Sequence, residues 1–399
     1  MKKFKVALFG NDINTYSVAR AFYEYAGIIS DVFCKTTYGP CGNSKICNLT
    51  TDPEIDLPHV FLPKVLEYAK KHSNMPVLFV GCGDNYVEQI ITHRDEYPEN
   101  VIVPYIPKEL MDKLIRKRDF YEMAEKYGLP YPDTFIYTQD MGEITELPFD
   151  FPVILKPSDG VDYWHNPFDT QKKVYKLDTL GEVNSVIKEI YAAGYSDALI
   201  IQDMIPGDDS YMRVMTTFSG KDGRTIFTAM GHPLLEEHTP HGLGNTSIIM
   251  SCKDEELSQK IRNFLEAIDY VGFAQFDMKY DSRDGQIKIF EANCRQGRNN
   301  YYVTGGGLNI AKYLCDEFIH DVRNEYVTAD HDSLWTVLPM GVAYTYVKDK
   351  FYVPILKRLV KEGKMKNPLF MKGDMSPKRM KYLLRSHYSH YVKYYKYYR

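Results

Sequence analysis

The chain has 399 residues, 44% hydrophobic and 26% charged, and its 53 acids against 49 bases leave a net charge of −4. That composition excludes intrinsic disorder, a collagen-like fibre and a global positive field for nucleic acid, so no nucleic-acid partner is expected. The length predicts two or three domains.

In chain order, residues 4–9 form an apolar run that ends in Gly10-Asn11-Asp12. A helical stretch follows, with Val18, Ala19, Phe22 and Tyr23 at helical spacing. The run is too short for the apolar core of a signal peptide and reads as a first strand. The pattern recurs at Val77-Leu78-Phe79-Val80-Gly81-Cys82-Gly83-Asp84, followed by Val87, Ile90 and Ile91. Strand, glycine turn and helix, twice over, predict a parallel α/β domain across residues 1–108. Gly81-x-Gly83 lacks the third glycine of a dinucleotide fingerprint and reads as a topological turn. Seven cysteines contain no Cys-x-x-Cys pair and are expected as reduced thiols in a cytoplasmic protein.

Residues 109–128 read as one helix, with Leu110, Leu114 and Tyr121 on one stripe and Gly128 as its stop. The prolines of Leu129-Pro130-Tyr131-Pro132 force an extended chain. Short strands are expected at 153–156, 172–177, 198–202, 211–218, 225–230 and 247–250, with helices at 179–193 and 254–269. This order predicts a mostly antiparallel α+β domain over 109–325, followed by a C-terminal segment, 326–399. The longest promising uncharged run, 333–347, is 15 residues and is broken by Pro339 and Gly341, too short to span a bilayer.

The chemistry gathers late in the second domain. Residues 272–280 and 286–293 alternate around Asp281-Ser282-Arg283-Asp284-Gly285 and predict a β-hairpin. A turn centred near Asp284 sets Asp277 across from Glu291, and Asn293, two residues on, shares the face of Glu291. Three oxygen donors there suit a hard cation such as Mg²⁺. Lys156 closes the buried-looking run Val153-Ile154-Leu155, and Lys117 lies on the preceding helix; ammonium groups suit phosphate oxygens. The strand Leu199-Ile200-Ile201-Gln202 runs into an acidic turn, Asp203 to Asp209, able to offer backbone groups and Gln202 to a base and an acid to ribose hydroxyls. Arg295 and Arg298 follow the hairpin, positioned to neutralise a phosphoryl group and grip a carboxylate. His232, His238 and His241 lie in a proline-broken stretch that reads as a polar loop without zinc spacing.

The set Asp277…Glu291-x-Asn293-x-Arg295, with Lys117 and Lys156 upstream, resembles the ATP-grasp ligases. Gln202-Asp203-Met204-Ile205-Pro206-Gly207-Asp208-Asp209 and Gly231-His232-Pro233-Leu234-Leu235-Glu236 are similar to motifs of bacterial D-aspartate ligases, which build peptidoglycan side branches. The resemblance covers about the first three quarters of the chain. It implies an ATP-grasp fold behind an α/β pre-ATP-grasp domain, with ATP and Mg²⁺ as cofactors. By that likeness Lys117 and Lys156 hold phosphates, Gln202, Asp203, Met204 and Ile205 contact adenine, and Asp209 meets ribose. Asp277, Glu291 and Asn293 ligate Mg²⁺, Arg295 and Arg213 serve catalysis, and Arg298 and His232 face the amino acid. The implied reaction joins the β-carboxylate of D-aspartate to a lysine amine of a peptidoglycan precursor. The alternatives are another acid or amine on the same fold, or a nucleotide-binding regulator. The loop Ser158-Asp159-Gly160-Val161-Asp162 carries a single glycine where many ATP-grasp enzymes have several.

The tail from Pro377 holds Lys378, Arg379, Lys381, Arg385, Lys393, Lys396 and Arg399, no acid, and seven tyrosines. Such a segment reads as a basic aromatic helix in peripheral contact with the inner face of the membrane, as aromatics interleaved with bases that could instead bind nucleic acid, or as a solvated terminal helix or frayed tail.

Overall fold

The computed structural model describes residues 2–240 and 242–398, so His241 of the histidine stretch and Arg399 of the tail lie outside the described residues. The chain forms two compact units. One comprises Met1–Lys108, Asp208–Gln275 and Asn293–Arg399; the other comprises Glu109–Gly207 and Phe276–Ala292.

The first unit opens with the parallel sheet that the repeated strand–turn–helix pattern predicts. Its order is Cys47–Thr51, Ser30–Cys34, Lys5–Phe9, Val77–Gly81, Val101–Ile102, every pair parallel. The two central strands are buried on both faces, which is why they are apolar without alternation. Helix Ile13–Ala26 starts where the Asp12 carboxylate accepts the Thr15 N–H at 3.0 Å, and it stops at Gly27 in the left-handed region (φ 66°). A larger sheet contains Met212–Ser219, Thr225–Glu237, Asn245–Cys252 and Leu334–Thr336, antiparallel in that order.

The strand Thr225–Glu237 is longer than predicted: 231–237, read as a polar loop, pairs with Asn245–Cys252. The register shifts on either side of Leu235, beside Pro233, so an irregular stretch accommodates a residue with no N–H to donate. The tail is a docked helix, Pro377–Tyr397, that buries Arg379, Leu383, His390 and Tyr394, and so is neither frayed nor merely solvated. No helix among the described residues is long and apolar enough to cross a membrane.

The second unit is built on a four-stranded antiparallel sheet in the order Thr134–Tyr137, Leu199–Asp203, Val153–Pro157, Tyr175–Leu177. Val153, Leu155, Leu199 and Ile201 pack against Val183, Ile187 and Ile190 of helix Leu180–Ala192. Thr179 and Glu182 close that helix start in a reciprocal capping box. The predicted helix over 109–128 divides into Lys108–Ile115 and Lys117–Lys126, because Arg116 turns extended (φ −71°, ψ 116°). The predicted hairpin is present as strands Gly272–Asp281 and Gln286–Asn293, its turn closed by the Gly285 N–H on the Asp281 carbonyl at 2.8 Å.

Candidate active site

In the second unit the break at Arg116 makes Lys117 the first residue of its helix. Ser158 causes the placement: its carbonyl accepts the Lys117 N–H at 3.2 Å and its hydroxyl the Arg118 N–H at 3.1 Å. Ser158 is two residues beyond Lys156, so one short segment fixes both lysines.

Lys156 is buried. Its Nζ donates to the Tyr121 hydroxyl at 2.9 Å and reaches the Phe290 carbonyl at 3.5 Å. The Tyr121 hydroxyl in turn lies 2.8 Å from that carbonyl and 3.3 Å from Gln202 Oε1, while the Gln202 amide donates to Thr134 Oγ1 at 2.7 Å. Burial, and then the charge of Lys117, push the Lys156 ammonium down to about 7; Glu291 opposes the fall and Lys173 adds to it. A desolvated amine beside another lysine gains its proton most readily when an anion arrives.

The segment after Gln202 is held by side chains that the sequence did not single out. Arg283 grips Asp203 with two N–H groups, at 3.0 and 2.5 Å, and also bonds Asp281, which Lys288 approaches at 3.0 Å. These hydrogen bonds hold the Asp281 carboxyl well below the usual range. Lys279 Nζ donates to the carbonyls of Ile205 and Gly207, both at 2.9 Å. Met204 is partly exposed and Ile205 buried. Asp277 and Glu291 lie half-buried on adjoining strands.

Asn293 ends the second of those strands, two residues past Glu291 and so on the same face. Within the first unit its Nδ2 donates to the Gln275 carbonyl at 3.5 Å and its Oδ1 accepts from Arg295 at 3.4 Å. Arg295 forms a two-pronged ion pair with Asp84, Nε–Oδ1 2.6 Å and Nη2–Oδ2 2.8 Å. The Gly81-x-Gly83 turn therefore has a use beyond topology, since it presents this counter-ion. Arg298 donates to the Thr246 carbonyl at 3.2 Å; burial lowers its pKa, with Asp12 and Glu237 opposing. Asp12 stays open to solvent, yet crowding by the protein raises its carboxyl pKa against the Thr15 N–H and the charges of Arg298 and Arg295.

His232 and Arg213 meet at one oxygen. The Ser210 carbonyl accepts His232 Nε2–H at 2.5 Å and Arg213 Nη1–H at 3.0 Å, and Arg213 also donates to the Met212 carbonyl at 2.7 Å. A carbonyl only accepts, so the Nε2 tautomer is set. Burial, and then Arg213, lower His232 to about 4, and the imidazole is neutral at pH 7. The Asp209 carboxylate accepts the Glu236 N–H at 3.0 Å and pairs with His238 Nε2 at 3.0 Å.

No protein-family profile matches the chain. A D-aspartate ligase of Enterococcus faecium (strain Aus0004) is 39% identical over 401 residues, which cover 97% of this chain and 95% of that protein. The chain belongs to the D-aspartate ligase family. By that membership it is an ATP-dependent, ADP-forming ligase with an ATP-grasp fold. The likeness runs well past the first three quarters of the chain and takes in the C-terminal segment. Solved structures agree on the fold. The biotin carboxylase domain of the Hydrogenobacter thermophilus 2-oxoglutarate carboxylase superposes with a TM-score of 0.60 at 11% identity, covering 84% of this chain and 73% of that one. An L-amino acid ligase from Bacillus licheniformis gives 0.55 at 14% identity, covering 79% and 74%. An N5-carboxyaminoimidazole ribonucleotide synthetase in its ADP complex gives 0.57 at 16%, covering 84% and 80%.

Proposed function

We propose that the protein joins the β-carboxylate of D-aspartate to the lysine side-chain amine of a peptidoglycan precursor stem peptide, with ATP as the energy source and Mg²⁺ as the cofactor. The observation that carries the nucleotide chemistry is Lys156, a buried amine next to a second lysine in a family of ATP-dependent ligases. The near-full-length likeness to a D-aspartate ligase supports the substrate.

Carboxylate and ammonium do not condense in water, because the carboxylate is a poor electrophile. Transfer of the γ-phosphoryl group breaks its bond to ADP and forms one to a carboxylate oxygen. The neutral amine then attacks the acyl carbon, phosphate leaves with the bonding pair, and the amine gives up a proton. Lys117 and Lys156 hold the phosphates, the Gln202–Ile205 segment meets adenine and Asp209 the ribose. Arg295, held by Asp84, stabilises charge on the phosphoryl group in flight. Arg298, Arg213 and neutral His232 face the amino acid.

The donor set Asp277, Glu291 and Asn293, two carboxylates and an amide oxygen, fits Mg²⁺, which favours hard oxygen ligands and tolerates neighbouring phosphates. When bound, the ion offsets polyphosphate charge. The reading puts the enzyme in the cytoplasm, and the exposed stripe Tyr388, Tyr391, Val392 and Tyr395, with exposed Lys396 beside it, supports peripheral contact with the inner face of the membrane.

The test is ADP release with D- and L-amino acids in turn, with and without a stem-peptide nucleotide. D-aspartate alone among them should give product that depends on the acceptor. Equal turnover with L-aspartate, or none with D-aspartate, would refute the assignment.

A further inference from the structure

We propose that a cavity beside the C-terminal helix binds a soluble diphosphate that carries a ring, such as a nucleoside diphosphate, at a site separate from the one built on Lys117 and Lys156. The cavity has a volume of about 230 Å³ and lies between helix Pro377–Tyr397 and the loop that follows strand Ser30–Cys34, all within the first unit.

Three cations line it. Lys378, Lys381 and Arg385 recur at three and four residues and so project from one face of the helix. All three are exposed, and among the described residues none has a carboxylate partner. The carboxylate at the foot of the helix, Asp374, is already committed. It pairs with buried Arg379 at 3.3 Å and accepts from Tyr16, Ser44 and the Lys45 N–H at 2.6–2.7 Å. Three uncompensated cations match the charge of a diphosphate and exceed that of a carboxylate.

One wall is aromatic. Tyr38 and Tyr382 meet edge to face with centroids 5.1 Å apart, and Tyr38 is 70% exposed. An exposed ring on the same cavity as three cations offers a stacking face to a base or another flat ring.

The loop is held in place from beneath. Arg379 donates to the carbonyls of Pro40 and Gly42, and Asn11 donates to the carbonyls of Thr36 and Tyr38 at 2.6 and 3.2 Å while accepting the Cys41 N–H at 3.1 Å. A ligand therefore meets a formed pocket and bears little of the entropy cost of ordering it. The concave shape favours a soluble ligand over a membrane, which would meet a convex face such as the tyrosine stripe further along the helix. The inference stands apart from the ligase assignment, because it uses none of the residues given a role there.

Calorimetry on the full-length protein tests it with two probes, inorganic pyrophosphate and uridine diphosphate. Both are titrated into wild type and into Lys156→Ala, which disables the other phosphate site. Binding should persist in Lys156→Ala and fall at least tenfold in Lys381→Ala/Arg385→Ala, whose substitutions are at exposed positions. Tyr38→Ala should weaken uridine diphosphate severalfold and leave pyrophosphate unchanged. Three results would overturn the proposal: no saturable binding of either probe, binding lost with Lys156→Ala but kept in the double variant, or binding to phosphatidylglycerol vesicles with neither soluble probe bound. Should the double variant melt early, Lys378→Ala repeats the comparison.

Discussion

Arg295 and Asp84 are locked in a two-pronged ion pair, although 211 residues separate them in sequence. The pair fixes the plane of the guanidinium before any substrate arrives. Arg295→Ala should lower turnover by about 10²–10³, the usual cost of removing one preorganised charge-stabilising group, with MgATP affinity kept. Asp84→Asn keeps the arginine but loosens it, and should cost about tenfold in kcat with little change in KM. Steady-state ADP release measures both. Wild-type turnover in Arg295→Ala would remove it from the mechanism.

On the proposed role of Lys156 in holding phosphate, nucleotide binding should be a proton-linked event. Its pKa is lowered to about 7 from 10.5, so the unfolded chain holds more protons between those values. That group's contribution therefore favours folding increasingly as pH rises from 7 to 10.5. Polyphosphate should raise the pKa again, so MgATP binding at pH 8 should take up protons. Calorimetry in buffers of differing ionisation enthalpy reads the uptake, and Lys156→Ala should abolish it. The same substitution should weaken MgATP binding by about 2–5 kcal/mol.

His232 should stay neutral across the working pH range. Its folded pKa of about 4 lies below the ordinary 6.5, so the unfolded chain binds more protons between the two. Stability from this residue is full above 6.5 and is lost as pH falls toward 4. Histidine Cε1 resonances followed by NMR should include two that do not titrate between pH 5.5 and 8, because burial lowers His390 to about 4 as well, and His232→Gln should remove one of them. A His232 signal titrating near 6.5 would contradict the buried donor geometry.

Arg379 and Asp374 are both fully buried, 0% and 1% exposed at the side chain, and the guanidinium also stacks 4.1 Å over the Tyr16 ring. Asp374→Ala leaves that charge without its counter-ion and should destabilise the first unit by about 3–5 kcal/mol. Denaturant midpoints measure the loss. A change near zero would mean that the carbonyls around Arg379 suffice.

What the sequence disclosed follows from what is local. The hairpin at 272–293 declared itself through alternation around an Asp/Gly turn, and Lys156 through a charge ending an apolar run. The helix break at Arg116 has no glycine or proline to announce it; Ser158, 42 residues later, supplies the competing hydrogen bonds. Residues 231–237 hid a strand behind His232, Pro233 and two glutamates, because neighbours across the sheet decided the matter. Arg379 looked like one more surface base in a basic tail, and only tertiary packing reveals its burial.

The hold of Arg379 on Pro40 and Gly42, and of Asp374 on Tyr16 and Ser44, ties two residues late in the sequence to a segment made more than 300 residues earlier. During synthesis the opening sheet emerges from the ribosome long before these partners exist. A nascent chain must therefore carry an unfinished amino-terminal region until residues 374–379 have been made, and a stop codon ahead of them would leave that region permanently unsealed.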